Sequence, residues 1–406
     1  MDNPFERFTL ADLAGRQSLK WQAYPPDVLP LWVAEMDTDL AEPVRDAIIT
    51  AVRRGEVGYP WGRAYPEALA SFALDAWGWS LDPDTVRHTA DVMTGMAHAV
   101  RLVTPPDGVL VLTTPVYPPF LDLPEIIGCA VRHVRLAADG RLDLDALADA
   151  FAAIRAEGRA PTLALCNPHN PTGVAHTRSE LERLAGLAAD LGVRVVVDEI
   201  HAPLVHPGSV FTPYLTVAGA ERAYAVHSAS KAFNLPGLKA ALIVPGPAAV
   251  DEVTAGLPAT LDHSASSIGV LAHAVALTGG REWLAAHLAG LTANRAQLGS
   301  LLATELPQIR WLPPEATYLA WLDCRDLGLG EDPAEVLLTR GKVAVNSGPA
   351  FGPGGAGHVR LNFATAPLVL TEAVARIRHA LPAVRSAPRE GRVHQRCREP
   401  IPGSPE

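Results

Sequence analysis

The residues best suited to covalent chemistry are Ser228, Ser230 and Lys231, which lie in one Ser-Ala-Ser-Lys stretch. The 406-residue chain has 34 Lys plus Arg residues, but only four of them are lysine. Lysine, unlike arginine, loses its proton when desolvated and then attacks a carbonyl carbon. The neighbouring hydroxyls have the right size to hold a phosphate. This combination suggests pyridoxal 5'-phosphate (PLP) held as a Schiff base; the alternative is a surface lysine after a serine-rich turn.

A second candidate is Asp198, which ends the β-branched run Val195–Val197. Ligands of α/β sheets bind at the carboxyl ends of strands. A carboxylate there, against an apolar wall, would pair with a cation such as a pyridinium nitrogen and keep it protonated. A protonated ring is the better electron sink. The equally weighted alternative is that Asp198 or Glu199 caps the next segment.

Asn170 lies in the stretch Asn-Pro-His-Asn-Pro-Thr-Gly at 167–173, directly after an apolar run that ends at Cys166. Two Asn-Pro steps and a glycine impose a fixed turn. The Asn170 amide could donate to an oxygen on a cofactor ring. A plain loop before the next helix is the alternative.

A phosphate site is suggested at Thr94-Gly95-Met96, before a predicted helix over 97–103. Backbone N–H groups at a helix start hold anions, and glycine permits close approach. Ser228, Ser230 and Lys239 strengthen this interpretation. Tyr117 follows an apolar run and either stacks on a flat cofactor or belongs to the core.

Arg360 lies inside the apolar stretch Val359–Phe363. A buried arginine needs a partner, and its planar fork matches a carboxylate. The partner is either the α-carboxylate of a substrate or a structural acidic residue, and the sequence alone leaves both open.

Apolar runs that alternate with helical patterns predict an α/β fold with a mostly parallel sheet. The strands are expected at 108–113, 162–166, 193–197 and 240–244, with later strands at 318–322 and 358–363. We therefore expect an N-terminal arm and small-domain segment (1–45), a large domain (46–270) and a smaller α+β domain (271–385). Residues 386–406 lack apolar periodicity and are expected to be a disordered tail.

Bulk properties narrow the function classes. A hydrophobic content of 48% and a charged content of 19% indicate a globular chain, and the net charge of −10 without a basic stripe argues against nucleic acid. No apolar run reaches the roughly 20 residues of a membrane span, and no signal peptide is visible. The widely spaced cysteines indicate free thiols in a reducing compartment, with no metal site. A cytoplasmic enzyme is expected.

Four motifs follow one another along the chain: N-P-x-N-P-T-G, then D-E-I-H at 198–201, then S-x-S-K with L-P-G-L-K, and then V-R-L-N-F. In this order they resemble the motifs of fold type I PLP enzymes of the class I/II aminotransferase group. The stretch Leu31–Asp37, the Gly58-Tyr59-Pro60 step and the D-E-I-H form are narrower. They resemble the cystathionine β-lyase branch, the cysteine-S-conjugate C–S lyases.

The resemblance implies a role for each matching residue. Lys231 would form the Schiff base and shuttle protons, and Asp198 would pair with the pyridinium nitrogen. Asn170 would contact the ring oxygen, and Tyr117 would stack on the ring. Arg360 would bind the substrate carboxylate. Four residues would hold the phosphate, namely Gly95, Met96, Ser228 and Ser230. Lys239 would join them, at a position where many relatives have arginine.

Two further positions distinguish the lyase branch from typical aminotransferases and imply that the protein is a homodimer. His201 belongs to the implied cofactor site and stands where typical aminotransferases have tyrosine, which favours the lyase branch. Tyr59 would reach the phosphate and substrate of a neighbouring subunit. The resemblance thus implies a homodimer with shared active sites.

The functional hypothesis is β-elimination from L-cysteine thioethers, giving thiol, pyruvate and ammonia. One alternative is aminotransfer, and another is elimination from a thioether intermediate of specialised metabolism, selected by a pocket wall near Tyr59, Trp61 and Phe351. A non-catalytic PLP-binding or regulatory protein is a third, which the presence of Lys231, Asp198 and Arg360 disfavours.

Overall fold

A computed structural model describes residues 3–381 of the chain. The predicted tail at 386–406 lies outside the described residues. The core of the fold is a seven-stranded sheet covered by helices, and a four-stranded antiparallel sheet follows later in the chain. The predicted α/β class, with a mostly parallel sheet and a smaller α+β part, is confirmed.

The helices of the described range are numbered α1 to α13 in chain order. They are Leu10–Ala14, Leu19–Gln22, Glu42–Arg54, Ala64–Trp77, Val92–Val103, Pro119–Ile127, Leu144–Ala156, Arg178–Asp190, Val250–Gly256, Ser267–Gly279, Arg281–Glu305, Pro333–Thr339 and Pro367–Ala380. The strands are numbered β1 to β13. They are Leu29–Pro30, Arg87–Thr89, Val109–Thr114, Ala130–Arg135, Pro161–Cys166, Arg194–Asp198, Tyr224–His227, Ala241–Pro245, Arg310–Trp311, Leu319–Asp323, Val343–Ala344, Asn346–Ser347 and His358–Asn362.

The large sheet has the strand order β2-β8-β7-β6-β5-β3-β4. The five strands from β7 to β4 are parallel, whereas β8 and β2 are antiparallel to their neighbours. Every residue of β3, β5 and β7 is buried, as expected for central strands covered on both faces. Because these strands are parallel, the loops after β3, β5, β6 and β7 emerge at one edge of the sheet.

The smaller sheet has the order β12-β13-β10-β9, and all its pairings are antiparallel. Its central strand β13 carries Arg360, which pairs in register with Trp321 of β10 and Asn346 of β12. The short strand β1 joins the N-terminal segment to β11 in parallel. The N-terminal segment is thereby tied to the C-terminal part of the chain.

The helix expected at 97–103 begins five residues earlier, at Val92, because Asp91 caps it: its side chain accepts from the Thr94 N–H. The expected domain boundaries at 45/46 and 270/271 fall inside α3 and α10, and the two helices pack against each other. That division of the chain stays a prediction.

Within residues 3–381, no helix combines the length and apolar character needed to cross a membrane. Nor does that range bring three or more His, Cys, Asp or Glu side chains together as a metal site.

Candidate active site

A cavity of about 160 Å³ lies at the carboxyl edge of the large sheet. Side chains from the loops after β3, β5, β6 and β7 meet there, together with the start of α5 and the N-terminal segment. Seven residues predicted from the sequence line it: Tyr117, Asn170, Asp198, His201, Ser230, Lys231 and Lys239. Further lining residues include Ala34, Asp91, Val92, Met93, Cys166 and Ile200. Motifs far apart in the chain thus form one site.

Lys231 lies in the turn after β7, and its amine donates to the Ala34 carbonyl at 2.8 Å. Burial, together with the positive charge of Arg360, lowers the pKa of Lys231 to about 8. Desolvation disfavours the charged form of an amine. Near neutral pH this lysine therefore has far more free amine than an ordinary lysine, as a nucleophile or general base requires.

Asp198 is the last residue of β6 and is only 4% exposed. Its Oδ1 accepts from the Ile200 N–H at 2.9 Å, and no basic side chain of residues 3–381 lies within 4.0 Å of the carboxylate. Burial, together with the negative charge of the neighbouring Glu199, raises the pKa of Asp198 to about 7. A buried carboxylate that lacks a cation fits a cationic ring nitrogen in the cavity.

Arg360 is buried, and each of its terminal nitrogens has neutral partners. Nη1 donates to Asn170 Oδ1 at 3.0 Å, and Nη2 donates to Asn346 Oδ1 at 2.7 Å and to the Trp32 carbonyl at 3.1 Å. Within residues 3–381, no Asp or Glu oxygen lies within 4.0 Å of the guanidinium. The structural ion pair considered above is therefore absent from the described part of the chain. A carboxylate ligand would neutralise this charge.

Burial lowers the pKa of Arg360 to about 10, which still leaves the group charged at neutral pH. The guanidinium also lies 5.1 Å from the ring centre of Phe351. Its Nε is buried without a hydrogen-bond partner in the described structure. The arginine thus retains unsatisfied capacity for a bound anion.

The phosphate end of the cavity differs from the sequence prediction. Gly95 and Met96 do not line it. The Gly95 N–H already donates to the Asp91 carbonyl at 2.9 Å, and the Met96 side chain lies in an apolar cluster. Gly95 instead permits close packing of α5, because a Cβ there would lie 2.8 Å from Val226 Cγ1.

The first-turn residues Val92 and Met93 line the cavity in their place. The first N–H groups of a helix have no intrahelical acceptor and suit an anion. Lys239 lies beside them, 2.9 Å from Asp91 Oδ2. An N-cap aspartate before an apolar run was the signal that could have located this helix start.

The two predicted serines have different positions. Ser230 lines the cavity, whereas Ser228 is buried behind it. The Ser228 hydroxyl donates to the Ala240 carbonyl at 2.8 Å and accepts from the Ser230 N–H at 3.2 Å. Ser228 therefore shapes the turn that carries Ser230 and Lys231.

Tyr117 and His201 complete the cavity wall. Tyr117 is partly buried, and desolvation raises the pKa of its hydroxyl, so the ring is a neutral surface. His201 is 2% exposed, and burial lowers its pKa to about 3. The imidazole is therefore neutral at working pH, and its Nδ1 has no hydrogen-bond partner in the described structure.

Tyr59 does not reach this cavity within its own chain. It is 84% exposed and lies edge-on to His263, with ring centres 5.8 Å apart. Trp61 is 94% exposed. The role of Tyr59 in a neighbouring subunit stays a prediction.

Comparison with known proteins gives a consistent assignment. The family model for class I and II aminotransferases matches residues 26–377. A putative cystathionine beta-lyase of Mycobacterium leprae is 46% identical over 396 residues, covering 93% of this chain and 98% of the relative. The cystathionine beta-lyase of Corynebacterium glutamicum is 34% identical, covering 92% of this chain and 99% of the relative.

A solved structure agrees with these relatives. The crystal structure of a putative PLP-dependent beta-cystathionase from Corynebacterium diphtheriae superposes with a TM-score of 0.85 at 35% identity. It covers 92% of this chain and 97% of the other. The predicted fold type and family are confirmed. The order of motifs, the sheet with its cavity and the match over most of the chain together establish that this protein belongs to the class I and II aminotransferase family.

Proposed function

We propose that the protein is a PLP-dependent carbon–sulfur lyase that eliminates a thiol from L-cysteine thioethers such as cystathionine. The observation that carries this is that Lys231 and Asp198 line one cavity. The carboxylate-free Arg360 lies directly behind its wall, where it donates to the lining residue Asn170. The names of the mycobacterial and corynebacterial relatives support the choice of reaction. Elimination gives the thiol and an enamine, and one water molecule then hydrolyses the released enamine to pyruvate and ammonia.

The side chains of the cavity suit PLP at both of its ends. Asp198 would accept the ring nitrogen, and Asn170 and Tyr117 would contact the ring. The N–H groups of Val92 and Met93 would hold the phosphate together with two further residues, Ser230 and Lys239. When bound, PLP supplies an electron sink that stabilises negative charge at the substrate Cα.

The chain's own residues then divide the work. Arg360 binds the substrate carboxylate through its planar fork and thereby orients the Cα–H bond. Lys231 Nζ accepts the Cα proton as a general base, for which a lowered pKa is required. A thiolate leaves from Cβ. Arg360 is buried and Lys231 is half-buried. The low local dielectric around Arg360 strengthens its interaction with a bound carboxylate.

The lowered pKa of Lys231 makes a testable pH prediction. We expect the rate at which the cofactor-free protein takes up PLP, followed by absorbance, to rise with a midpoint near pH 8. The sign follows because only the unprotonated amine attacks the aldehyde. At pH 8 roughly a hundredfold more amine is free than in an ordinary lysine with a pKa of about 10.4. A midpoint near 10.4 would contradict the assigned environment, and Lys231→Ala is the control.

The decisive functional assay compares thiol release with amino-group transfer. We expect purified protein loaded with PLP to release pyruvate and free thiol in equal amounts from cystathionine or S-alkyl cysteines. The same residues also suit aminotransfer, so the assay includes a keto-acid acceptor. Acceptor-dependent transfer without thiol release would reject elimination. A panel of bulkier cysteine conjugates tests whether a specialised thioether is preferred.

We also propose a homodimer in the cytoplasm. Three apolar residues of one loop are strongly exposed in the single chain, namely Val57, Tyr59 and Trp61. A partner that covers them would remove this apolar surface from water. The three cysteines of the described range are free, which suits a reducing compartment. Sedimentation of the PLP-loaded protein tests the dimer.

A further inference from the structure

The N-terminal segment Leu31–Asp37, here called the strap, borders the cavity at Ala34. Every carbonyl from Leu31 to Met36 accepts a hydrogen bond. The Leu31 carbonyl accepts from the Asn362 N–H of β13. The next five carbonyls accept from side chains, and these donors belong to Lys20, Lys231, Asn234, Tyr318, Arg360 and Asn362. Hydrogen bonds from side chains to five consecutive carbonyls thus take the place of the backbone hydrogen bonds of a regular β-strand.

Two of these donors are the charged groups of the proposed reaction. Arg360 Nη2 donates to the Trp32 carbonyl at 3.1 Å, and Lys231 Nζ donates to the Ala34 carbonyl at 2.8 Å. The two acceptors are two residues apart on one short stretch of backbone. The strap therefore fixes the general base and the carboxylate-binding group relative to each other.

The remaining donors fix the strap to the rest of the fold. Asn234, three residues after Lys231, accepts from the Met36 N–H at 2.8 Å and donates to the Met36 carbonyl at 2.9 Å. Tyr318 donates to the Ala34 carbonyl at 3.1 Å. At the end of the strap, Lys20 and Asp37 form a fully buried ion pair at 2.8 Å.

We propose that the strap is a positioning element, in which Asn234 and Tyr318 hold the Ala34 carbonyl where it orients the free amine of Lys231. This inference rests on the proposed role of Lys231 and extends it. A flexible lysine samples many rotamers once its amine is free. A hydrogen bond to Ala34 directs one N–H and leaves the lone pair of the amine for the substrate Cα–H. Neither Asn234 nor Tyr318 lines the cavity.

Asn234→Gly is the sharpest variant. Asn234 has a φ of 55°, which glycine adopts without strain, so the change removes both hydrogen bonds to Met36 without forcing the backbone. Lys342→Gly is the matched control, because Lys342 also has a φ of 55° and its exposed side chain lies on the surface. Tyr318→Phe is a second variant that conserves volume and removes one donor from Ala34.

The measurement is exchange of the Cα proton of L-alanine for deuterium, followed by NMR at saturating PLP. We expect Asn234→Gly to slow exchange about tenfold and Tyr318→Phe several-fold, with Lys342→Gly within twofold of the unmodified protein. Bound PLP per chain should stay the same in all variants. Amide exchange measured by mass spectrometry should become faster across the strap in Asn234→Gly.

Two outcomes would overturn the proposal. In the first, the strap amides exchange faster while Cα exchange stays unchanged, so the strap does not position Lys231. In the second, Cα exchange falls only in proportion to lost PLP, which indicates a merely structural role. L-Alanine has no leaving group, so this test is separate from the proposed elimination. Absence of thiol release from cysteine thioethers would reject the lyase and leave the exchange result standing.

Discussion

Replacing Lys231 with alanine is expected to reduce pyruvate release from a cysteine thioether by at least about a thousandfold. The change removes the amine that holds the cofactor and takes the Cα proton. No other cavity lysine can substitute for it, because the Lys239 amine lies beside Asp91 at the phosphate end. Pyruvate formation by variant and unmodified protein at saturating PLP is the measurement.

Lys342→Ala is the matched control for this variant, because Lys342 is half-exposed and lies outside the cavity. It should leave the rate within twofold. If Lys231→Ala retained more than a tenth of the activity, the assignment of the general base would be wrong. Circular dichroism of both variants checks that the fold is intact.

The second large effect is expected at Arg360. Arg360→Met removes two charge-assisted hydrogen bonds to the substrate carboxylate, each worth roughly 1.5–3 kcal/mol, and should lower kcat/KM by about 100-fold or more. Arg360→Lys keeps the charge but loses the fork, and it should mainly raise KM, by roughly tenfold. Steady-state kinetics with a cysteine thioether provide the measurement.

Arg325→Lys is the control for these variants, because Arg325 is exposed and pairs with Asp323 on the surface. An unchanged KM in both Arg360 variants, with any loss confined to kcat, would show that Arg360 does not bind the carboxylate. Loss of the hydrogen bond to Asn170 is a further consequence of either change, so PLP content is measured in parallel.

The sequence predicted the large sheet well because its central strands are buried on both faces. The runs expected as strands at 162–166 and 193–197 carry a continuous apolar signal. The first strand ends at Cys166 as expected, and the second ends at Asp198, one residue later than expected. The polar residues that follow such strands share one edge for topological reasons. Asn170, Asp198 and Lys231 could therefore be placed together without coordinates.

Other parts of the site depend on local geometry or on distant contacts. The sequence predicted that Gly95 lets a phosphate approach closely, but its lack of a side chain serves packing against Val226. The contact between Lys231 and Ala34 joins residues 197 positions apart through a backbone carbonyl. No residue type marks such an acceptor in the sequence. Ser228 has the hydroxyl that a phosphate site needs, but it is buried behind the cavity and stabilises the turn that carries Ser230 and Lys231.

The most direct test of the central claim is to reduce the PLP-loaded protein with borohydride and map the modified peptide by mass spectrometry. Reduction converts a carbon–nitrogen double bond between the cofactor aldehyde and an amine into a stable link. The predicted result is a single adduct on Lys231, lost in Lys231→Ala and retained in Lys342→Ala. An adduct on Lys20, Lys239 or Lys342 instead, or no adduct at all, would contradict the account.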